Sequence, residues 1–139
     1  MTTIDFYTHV GDRLAVAARL VAKALAAHGS ARVLTPDATT TDELDRLLWT
    51  VPATGFLPHC RIGNALASQT PVLVDHVLEH TGPAAVLVNL HPEPPPFFSR
   101  FERLTEIVSL DEVAAGRARY KFYRERGYEL RTHDMSERG

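Results

Sequence analysis

The stretch DFYTHVGDRLAVAARLVAKALAAHGSARVLT, residues 5–35, decides the fold class. Asp5 to Val10 predicts a first strand, and Arg13 to His28 predicts a helix because apolar residues recur there every three or four positions. Gly29 is expected to end this helix, since glycine commonly follows a helix C-terminus. ARVLT, residues 31–35, predicts a second strand. A strand, a helix and a strand in this order indicate an α/β domain.

The remainder of the chain continues the alternation of short apolar runs and helical patterns. Thr40 is expected to open a second helix, with Glu43 at the spacing of a capping box. The later predicted elements are strands over 71–76 and 84–90, a proline-rich loop over 91–96, a short helix over 97–104, a strand or turn over 106–110, a last helix over 111–126 and a strand over 128–133. We predict a single domain over residues 1–139 with a three-layer, Rossmann-like α/β fold, in which helices flank a mostly parallel sheet.

Composition excludes several classes of protein. The 139 residues carry a formal net charge of -2, whereas a dedicated nucleic-acid-binding domain is usually clearly basic. A single cysteine, Cys60, allows neither a disulfide within the chain nor a cysteine-rich zinc site. The N-terminus has no secretory-signal pattern, and no apolar run approaches the length of a membrane span. We therefore expect a cytoplasmic protein that does not contact membranes.

The motifs of nucleotide binding and catalysis are also missing. The glycine-rich fingerprints G-x-G-x-x-G and G-x-x-x-x-G-K-[ST] are absent, which argues against a nucleotide site. HVLEH, residues 76–80, matches the inverted zincin pattern, but that pattern needs a helix and His76 follows a β-branched run. Cys60 beside His59 is not by itself a catalytic arrangement. We predict no catalytic residue, no metal and no cofactor; a zinc hydrolase using His76, Glu79 and His80 is the least favoured reading.

The closing helix is the most informative segment. Residues 117–126 contain five basic side chains and one acidic side chain, a local charge of +4. At about 100° per residue, Ala115, Ala118 and Phe122 are predicted to form the buried stripe. The opposite face then gathers Val113, Arg117, Tyr120, Lys121 and Arg124.

This face has two interpretations. It is either a solvated basic surface with one incidental tyrosine, or a binding platform. A platform of this kind fits a phosphate backbone whose bases stack on tyrosine, or an acidic peptide that ends in an apolar residue and a carboxylate. The acidic net charge of the chain favours the peptide.

A second candidate surface contains Trp49 and Phe56. Trp49 lies off the apolar stripe of its predicted helix, and Phe56 follows in the turn ATGFLPH. Two aromatic side chains near each other on a surface suggest a protein interface. The alternative is a tryptophan that folds back over the edge of the core.

With these residues in view, the chain resembles the chi subunits of bacterial DNA polymerase III over essentially its full length. The resemblance is carried by ordered segments: FY (6–7), LDRLLW (44–49), GFLPH (55–59), PVLV (71–74), LVNL (87–90), FFSRFERLTEIV (97–108) and RARYKFYRERGYEL (117–130). The last two are the most specific.

The resemblance implies a non-catalytic accessory subunit with a nucleotide-binding-like fold. It implies binding to the acidic C-terminal tail of the single-stranded-DNA-binding protein, through Arg117, Tyr120, Lys121 and Arg124. It also implies binding, through Trp49 and Phe56, to the psi subunit, which connects chi to the clamp loader, or to a repair helicase. Contact with DNA is then mostly indirect. Val113 occupies a position that is basic in the family, so one cation of the tail site is missing.

Overall fold

The computed structural model describes residues 1–50 and 57–136. The strands are β1 (Thr3–Val10), β2 (Ala31–Leu34), β3 (His59–Cys60), β4 (Val72–Asp75), β5 (Val86–Asn89), β6 (Arg103–Ser109) and β7 (Leu130–Asp134). The α-helices are α1 (Arg13–His28), α2 (Ala38–Leu48) and α3 (Val113–Glu125), and two 3-10 turns cover Ala67–Gln69 and Phe98–Arg100. None of the helices in the described ranges has the length and apolar character needed to cross a membrane.

The strands form one sheet in the order β3-β4-β2-β5-β6-β1-β7. Every strand pairing in the described part of the chain is parallel. β1 lies between β6 and β7, so that Asp5 pairs in register with Thr105 on one side and Arg131 on the other. The prediction of a mostly parallel α/β sheet is confirmed.

Helices cover both faces of the sheet, which gives three layers. α1 and α2 pack over one face, around a core rich in valine and alanine that includes Val21, Val33 and Val88. α3 covers the other face together with an aromatic cluster that includes Phe6, Phe98 and Tyr123. Because both faces are covered, the inner strands β2 and β5 consist mainly of apolar residues and show no polar alternation.

Aspartates begin the first two helices. Asp12 caps α1, its carboxylate accepting a hydrogen bond from the Ala15 backbone N–H at 3.1 Å. Gly29 ends α1 as expected, at φ 82° and with its N–H donating to the Leu25 carbonyl. The capping box at Thr40 and Glu43 was wrong: α2 begins at Ala38, and Asp37 accepts from the Thr40 N–H at 2.7 Å. Asp37 precedes Ala38 in an extended conformation, so the N-cap lies three positions before Thr40, where the sequence placed it.

The helix predicted over residues 97–104 was also wrong. Only the 3-10 turn Phe98–Arg100 is helical, and β6 starts at Arg103. Phe97, Phe98 and Phe101 are all buried in the aromatic cluster, which requires rings on several sides of the chain. Leu104 is fully buried because it pairs between β5 and β1 in the sheet. Tertiary packing therefore overrides the local helical pattern.

Candidate functional site

The inward side of α3 differs from the stripe that periodicity predicts. Gly116, Arg119 and Tyr123 are the buried residues of this helix, whereas Ala118 is exposed. Ala115 and Phe122 are only half-buried. Gly116 permits the close approach, because a Cβ at this position would lie 2.6 Å from Val108 Cγ1. The prediction that Ala115, Ala118 and Phe122 form the buried stripe is therefore wrong by a partial rotation of the helix.

A buried ionic network fixes the rotation of α3. Arg119 Nε donates to Glu106 Oε1 at 2.8 Å, and the Tyr123 hydroxyl donates to Glu106 Oε2 at 2.5 Å. Asn89 Nδ2 lies 3.0 Å from both carboxylate oxygens, and Arg119 also donates to the Pro92 carbonyl. Complete burial raises the pKa of the Glu106 carboxyl, while Arg119, Tyr123 and Asn89 act in the opposite direction.

This network was missed from sequence, where Arg119 counted among the surface cations of the basic segment. Its side chain is 2% exposed, so it cannot reach a partner molecule. The only signal in the sequence was Glu106 within the apolar run LTEIV, because a carboxylate in a buried strand requires a paired partner. Burial and the adjacent negative charge of Glu106 also raise the pKa of the Tyr123 hydroxyl, which stays protonated as a donor.

An apolar groove lies between α3 and strands β1 and β7, with a volume of about 340 Å³. Its lining consists of Phe6, Thr8, His9, Val108, Leu110, Val113, Gly116, Arg117, Tyr120 and Thr132. Three of the five residues proposed from sequence, Val113, Arg117 and Tyr120, thus share one groove. The apolar side chains Leu110 and Val113 are 61% and 41% exposed at its mouth, and they extend the apolar lining to the surface, as at many interaction sites.

Tyr120 forms a wall of this α3 groove. It is half-buried, and its ring packs edge-on against Phe6 with centroids 5.2 Å apart. The expectation of a tyrosine on the solvent side is corrected to one that is held in place by the core. A fixed aromatic wall offers apolar contact area without the entropy loss of ordering a mobile side chain.

The other two predicted cations lie outside the groove lining. Lys121 is 78% exposed and forms an ion pair with Glu125 at 3.8 Å, one helical turn further along. Arg124 is exposed on the same helix. Arg126, by contrast, is occupied locally, since its guanidinium lies 3.5 Å from the Phe122 ring centroid. The arrangement is an apolar groove with Arg117 on its lining and two exposed cations further along the helix.

His9 adds a strained backbone position to the groove. Its φ of 58° lies in the left-handed region, where a residue other than glycine is uncommon. Its ring is within 3.1 Å of the Asp134 carboxylate at the end of β7. His9 therefore ties β1 to β7 at the edge of the groove.

The second predicted surface is described only in part, because Phe56 falls outside the described residues. Trp49 is 55% exposed at the C-terminus of α2, and its ring centroid lies 4.7 Å from that of His59. His59 is buried and bonds to the Leu57 carbonyl and to Asp45. The Trp49 ring thus packs against the buried His59 ring, and it lies on the face of the sheet opposite α3.

The weaker motifs have structural explanations. His76 and His80 do not lie on a helix, and His80 is buried against the Phe97 and Phe101 rings. Within residues 1–50 and 57–136, no three histidine, cysteine or acidic side chains are grouped so that they could hold a metal ion. At the carboxyl edge of the sheet, Asp12 and Asp37 occupy the N–H groups of α1 and α2 that a phosphate would need.

The fold and site thus define a class: a three-layer α/β domain with a parallel sheet, in which carboxylates cap the N-termini of α1 and α2 and an apolar groove lies beside α3. The family model described as "DNA polymerase III chi subunit, HolC" matches residues 1–131. The DNA polymerase III subunit chi of Pseudomonas aeruginosa is 33% identical over 142 residues, covering 97% of this chain and 98% of that protein. The chain belongs to the family of DNA polymerase III chi subunits. It is accordingly an accessory subunit of the polymerase III complex, and its process is DNA replication.

Proposed function

We propose that the chain is a recruiting subunit, which connects the polymerase III complex to the acidic C-terminal tail of the single-stranded-DNA-binding protein. The tail binds at the α3 groove, and the psi subunit of the clamp loader binds near Trp49 and Phe56. The observation that carries the proposal is the apolar α3 groove with Arg117 on its lining and Lys121 and Arg124 exposed further along the same helix. The subunit itself performs no catalysis.

The chemistry of such a tail matches this arrangement. An apolar terminal residue would pack against Phe6, Val108 and Tyr120, and its carboxylate would meet Arg117. Arg117 and Arg124 are two turns, or about 10 Å, apart along the helix. With the terminal carboxylate at Arg117, the acidic residues that precede it would therefore lie near Lys121 and Arg124. Exposed charges increase the association rate and make it sensitive to salt, while the apolar anchor slows dissociation.

Val113 gives this site a different balance from the family pattern. Where the family has a basic residue, this chain adds apolar surface at 41% exposure. We therefore expect binding that depends more on the apolar anchor and less on ionic strength than in a site with the additional cation.

A phosphate backbone on the same face is the rival occupant. It is less well supported, because Arg119 is buried and does not add to the cations that could follow a backbone along this face. A repair helicase is the alternative partner for the Trp49 surface, where a tryptophan is 55% exposed on a supported ring.

The test measures binding of a fluorescent tail peptide by anisotropy. The wild-type chain should bind in the micromolar range, corresponding to about -8 kcal/mol. Lys121→Glu combined with Arg124→Glu should abolish binding, whereas Arg46→Glu, an exposed charge reversal on α2, should leave it unchanged. A peptide with an amidated C-terminus should also bind poorly.

If the peptide still binds the double charge-reversal variant at high salt, the tail site is not on α3. A labelled single-stranded oligonucleotide that competes with the peptide for the same residues would support the rival occupant. The psi or helicase assignment is tested separately, by co-purification with Trp49→Ala, which should lose that partner and keep the tail.

A further inference from the structure

A second groove lies on the opposite face of the sheet, between α1 and the edge strand β7. It consists of two adjoining depressions of about 300 Å³ and 240 Å³, which share Tyr7, Leu20, Lys23 and His133. We call it the cationic groove, because its polar lining is dominated by Arg19, Lys23, Arg103 and Arg131. Nothing in the α3 groove requires these residues, since the sheet separates the two.

The charge of this groove is strongly positive. Arg19 and Lys23 are exposed on consecutive turns of α1, and Arg103 and Arg131 contribute from β6 and β7. Among the described residues of the lining, Asp5 is the one carboxylate, so their formal charge is +3 with the histidines counted as neutral. A chain with a net charge of -2 thus contains a concentrated patch of the opposite sign.

Asp5 forms ion pairs with Arg103 and Arg131 and leaves both guanidinium groups partly exposed. Its carboxylate is 3.0 Å from Arg131 Nε, 2.9 Å from His133 Nε2 and 3.6 Å from Arg103. The Asp5 side chain is 10% exposed, whereas Arg103 and Arg131 remain 38% and 47% exposed. Partial burial opposes ionisation of Asp5, but the hydrogen bonds from His133 and Arg131 outweigh it and hold the pKa of the carboxyl below its usual range.

Glu129 also acts electrostatically on Arg131 beside this groove, but three other aspartates lie at the opposite edge of the sheet. Asp12 and Asp37 cap helices at the carboxyl edge of the sheet, and Asp111 binds the Ser109 hydroxyl at the same edge. Arg103, by contrast, begins β6, and Lys23 lies in the C-terminal half of α1. An anion that approaches α1 and β7 therefore meets cations, while the carboxyl edge repels it.

We propose that the cationic groove binds the phosphodiester backbone of single-stranded DNA. Charge complementarity supplies the affinity, as it does for sequence-independent binding in general. Aromatic rings in the groove favour nucleic acid over an acidic peptide: the Tyr7 and His133 rings stack with centroids 4.6 Å apart at an interplanar angle of 18°, and a base would extend this stack from the outer face of a ring. The inference goes beyond the proposed function, because it needs neither the tail nor psi.

Opposite placement of the two grooves has a consequence for recruitment. When the tail of the single-stranded-DNA-binding protein is bound at α3, the cationic groove stays open. It can then contact the single-stranded DNA to which that protein is bound. Weak direct contact would then add to the tail contact as a second, linked binding event, which increases the overall affinity without a new high-affinity site.

The test titrates the full chain with fluorescent oligo-dT at several salt concentrations. We expect weak binding, and a slope of log K against log salt near -3, because each of four neutralised phosphates contributes about -0.7 for single strands. Arg19→Glu combined with Lys23→Glu should weaken binding at least tenfold and flatten the slope by about half. Arg46→Glu, and Lys121→Glu combined with Arg124→Glu, should leave both quantities unchanged.

Three results would overturn the inference. The first is no oligo-dT binding by the wild-type chain at low salt, or equal binding by the Arg19/Lys23 variant and Arg46→Glu. The second is loss of DNA binding in the Lys121/Arg124 variant, which would move the DNA to α3. The third is loss of tail-peptide binding with the Arg19/Lys23 changes while oligo-dT binding persists, which would make the groove a peptide site. Circular dichroism of each variant controls for folding, which these exposed helix positions should not disturb.

Discussion

The two sides of α3 use the same residue types for opposite purposes. Arg119 and Arg117 are two positions apart, yet Arg119 is 2% exposed against Glu106 and Arg117 lies exposed at the α3 groove. Likewise, Tyr123 is fully buried and donates to the Glu106 carboxylate, while Tyr120 forms the groove wall. Two positions correspond to about 200° of helix rotation, so neighbouring arginines face opposite directions. A basic segment therefore cannot be read as a basic surface until the helix is oriented.

Substitutions on the buried side of α3 should also lower the free energy of unfolding more than substitutions on its exposed side. A buried ion pair compensates the desolvation of both charges, and removal of one partner leaves the other charged in the core. An exposed charge remains hydrated whether or not its partner is present. The comparison thus predicts large stability effects from the inner residues and mainly binding effects from the outer ones.

The largest effect is expected from Arg119→Ala. Glu106 would then be buried without its ionic partner, and the free energy of unfolding should fall by about 3–5 kcal/mol. Arg117→Ala is the matched control, which should change stability by less than about 0.5 kcal/mol. Urea denaturation followed by circular dichroism measures both. Equal stability of the two variants would mean that the inner and outer arginines do not differ as described.

Gly116→Val should have the next largest effect. The added side chain would meet Val108 at a distance that real Cβ atoms do not adopt, so α3 must move away from β6. We expect a loss of about 1–3 kcal/mol and a change in the α3 groove, because Gly116 lines it. Ala114→Val, at an exposed position of the same helix, controls for the lower helix propensity of valine. Equal losses in both variants would show that the close approach does not matter.

The ion cluster around Asp5 is intermediate in exposure between the buried and the exposed side of α3. Since His133 and Arg131 lower the pKa of Asp5 in the folded state, the stability that its ionisation contributes is present above its ordinary pKa of about 4. That contribution is lost as the pH falls through the lower, folded pKa. Asp5→Asn should therefore destabilise the protein at pH 7 and flatten the loss of stability below about pH 4. Urea midpoints at several pH values test this, with Glu43→Gln on exposed α2 as the control; parallel pH profiles for wild type and Asp5→Asn would contradict it.

The smallest effect belongs to the outermost pair. Lys121 and Glu125 are 78% and 59% exposed, and such pairs contribute about 0.3–0.5 kcal/mol at most. Glu125→Gln should leave stability nearly unchanged and should strengthen tail binding slightly, because Lys121 would lose a competing carboxylate. Peptide anisotropy at low salt measures the change, and a marked loss of stability would place the pair with the inner network instead.

Local patterns predicted some elements with the right boundaries and others wrongly. α1 was predicted as Arg13 to His28 and has those bounds, because its apolar stripe and its αL glycine both favour the same structure. The helix over 97–104 failed, because three phenylalanines satisfy a helical pattern equally well when they pack in a 3-10 turn before a strand. Of the proposed site, Val113, Arg117 and Tyr120 were found in one groove, since their spacing alone keeps them on one side of any helix.

By itself, the sequence determined the alternation of strands and helices, the chi-subunit family and the concentration of cations between residues 117 and 126. These depend on the order of residues along the chain, which no packing can change. Tertiary structure alone decided that Arg119 is an internal ion-pair partner, that Tyr120 is fixed against Phe6, and that Asp5 gathers arginines from two other strands. The physical reason is that burial and long-range partners, not residue type, decide whether a charge stabilises the core or remains available for binding.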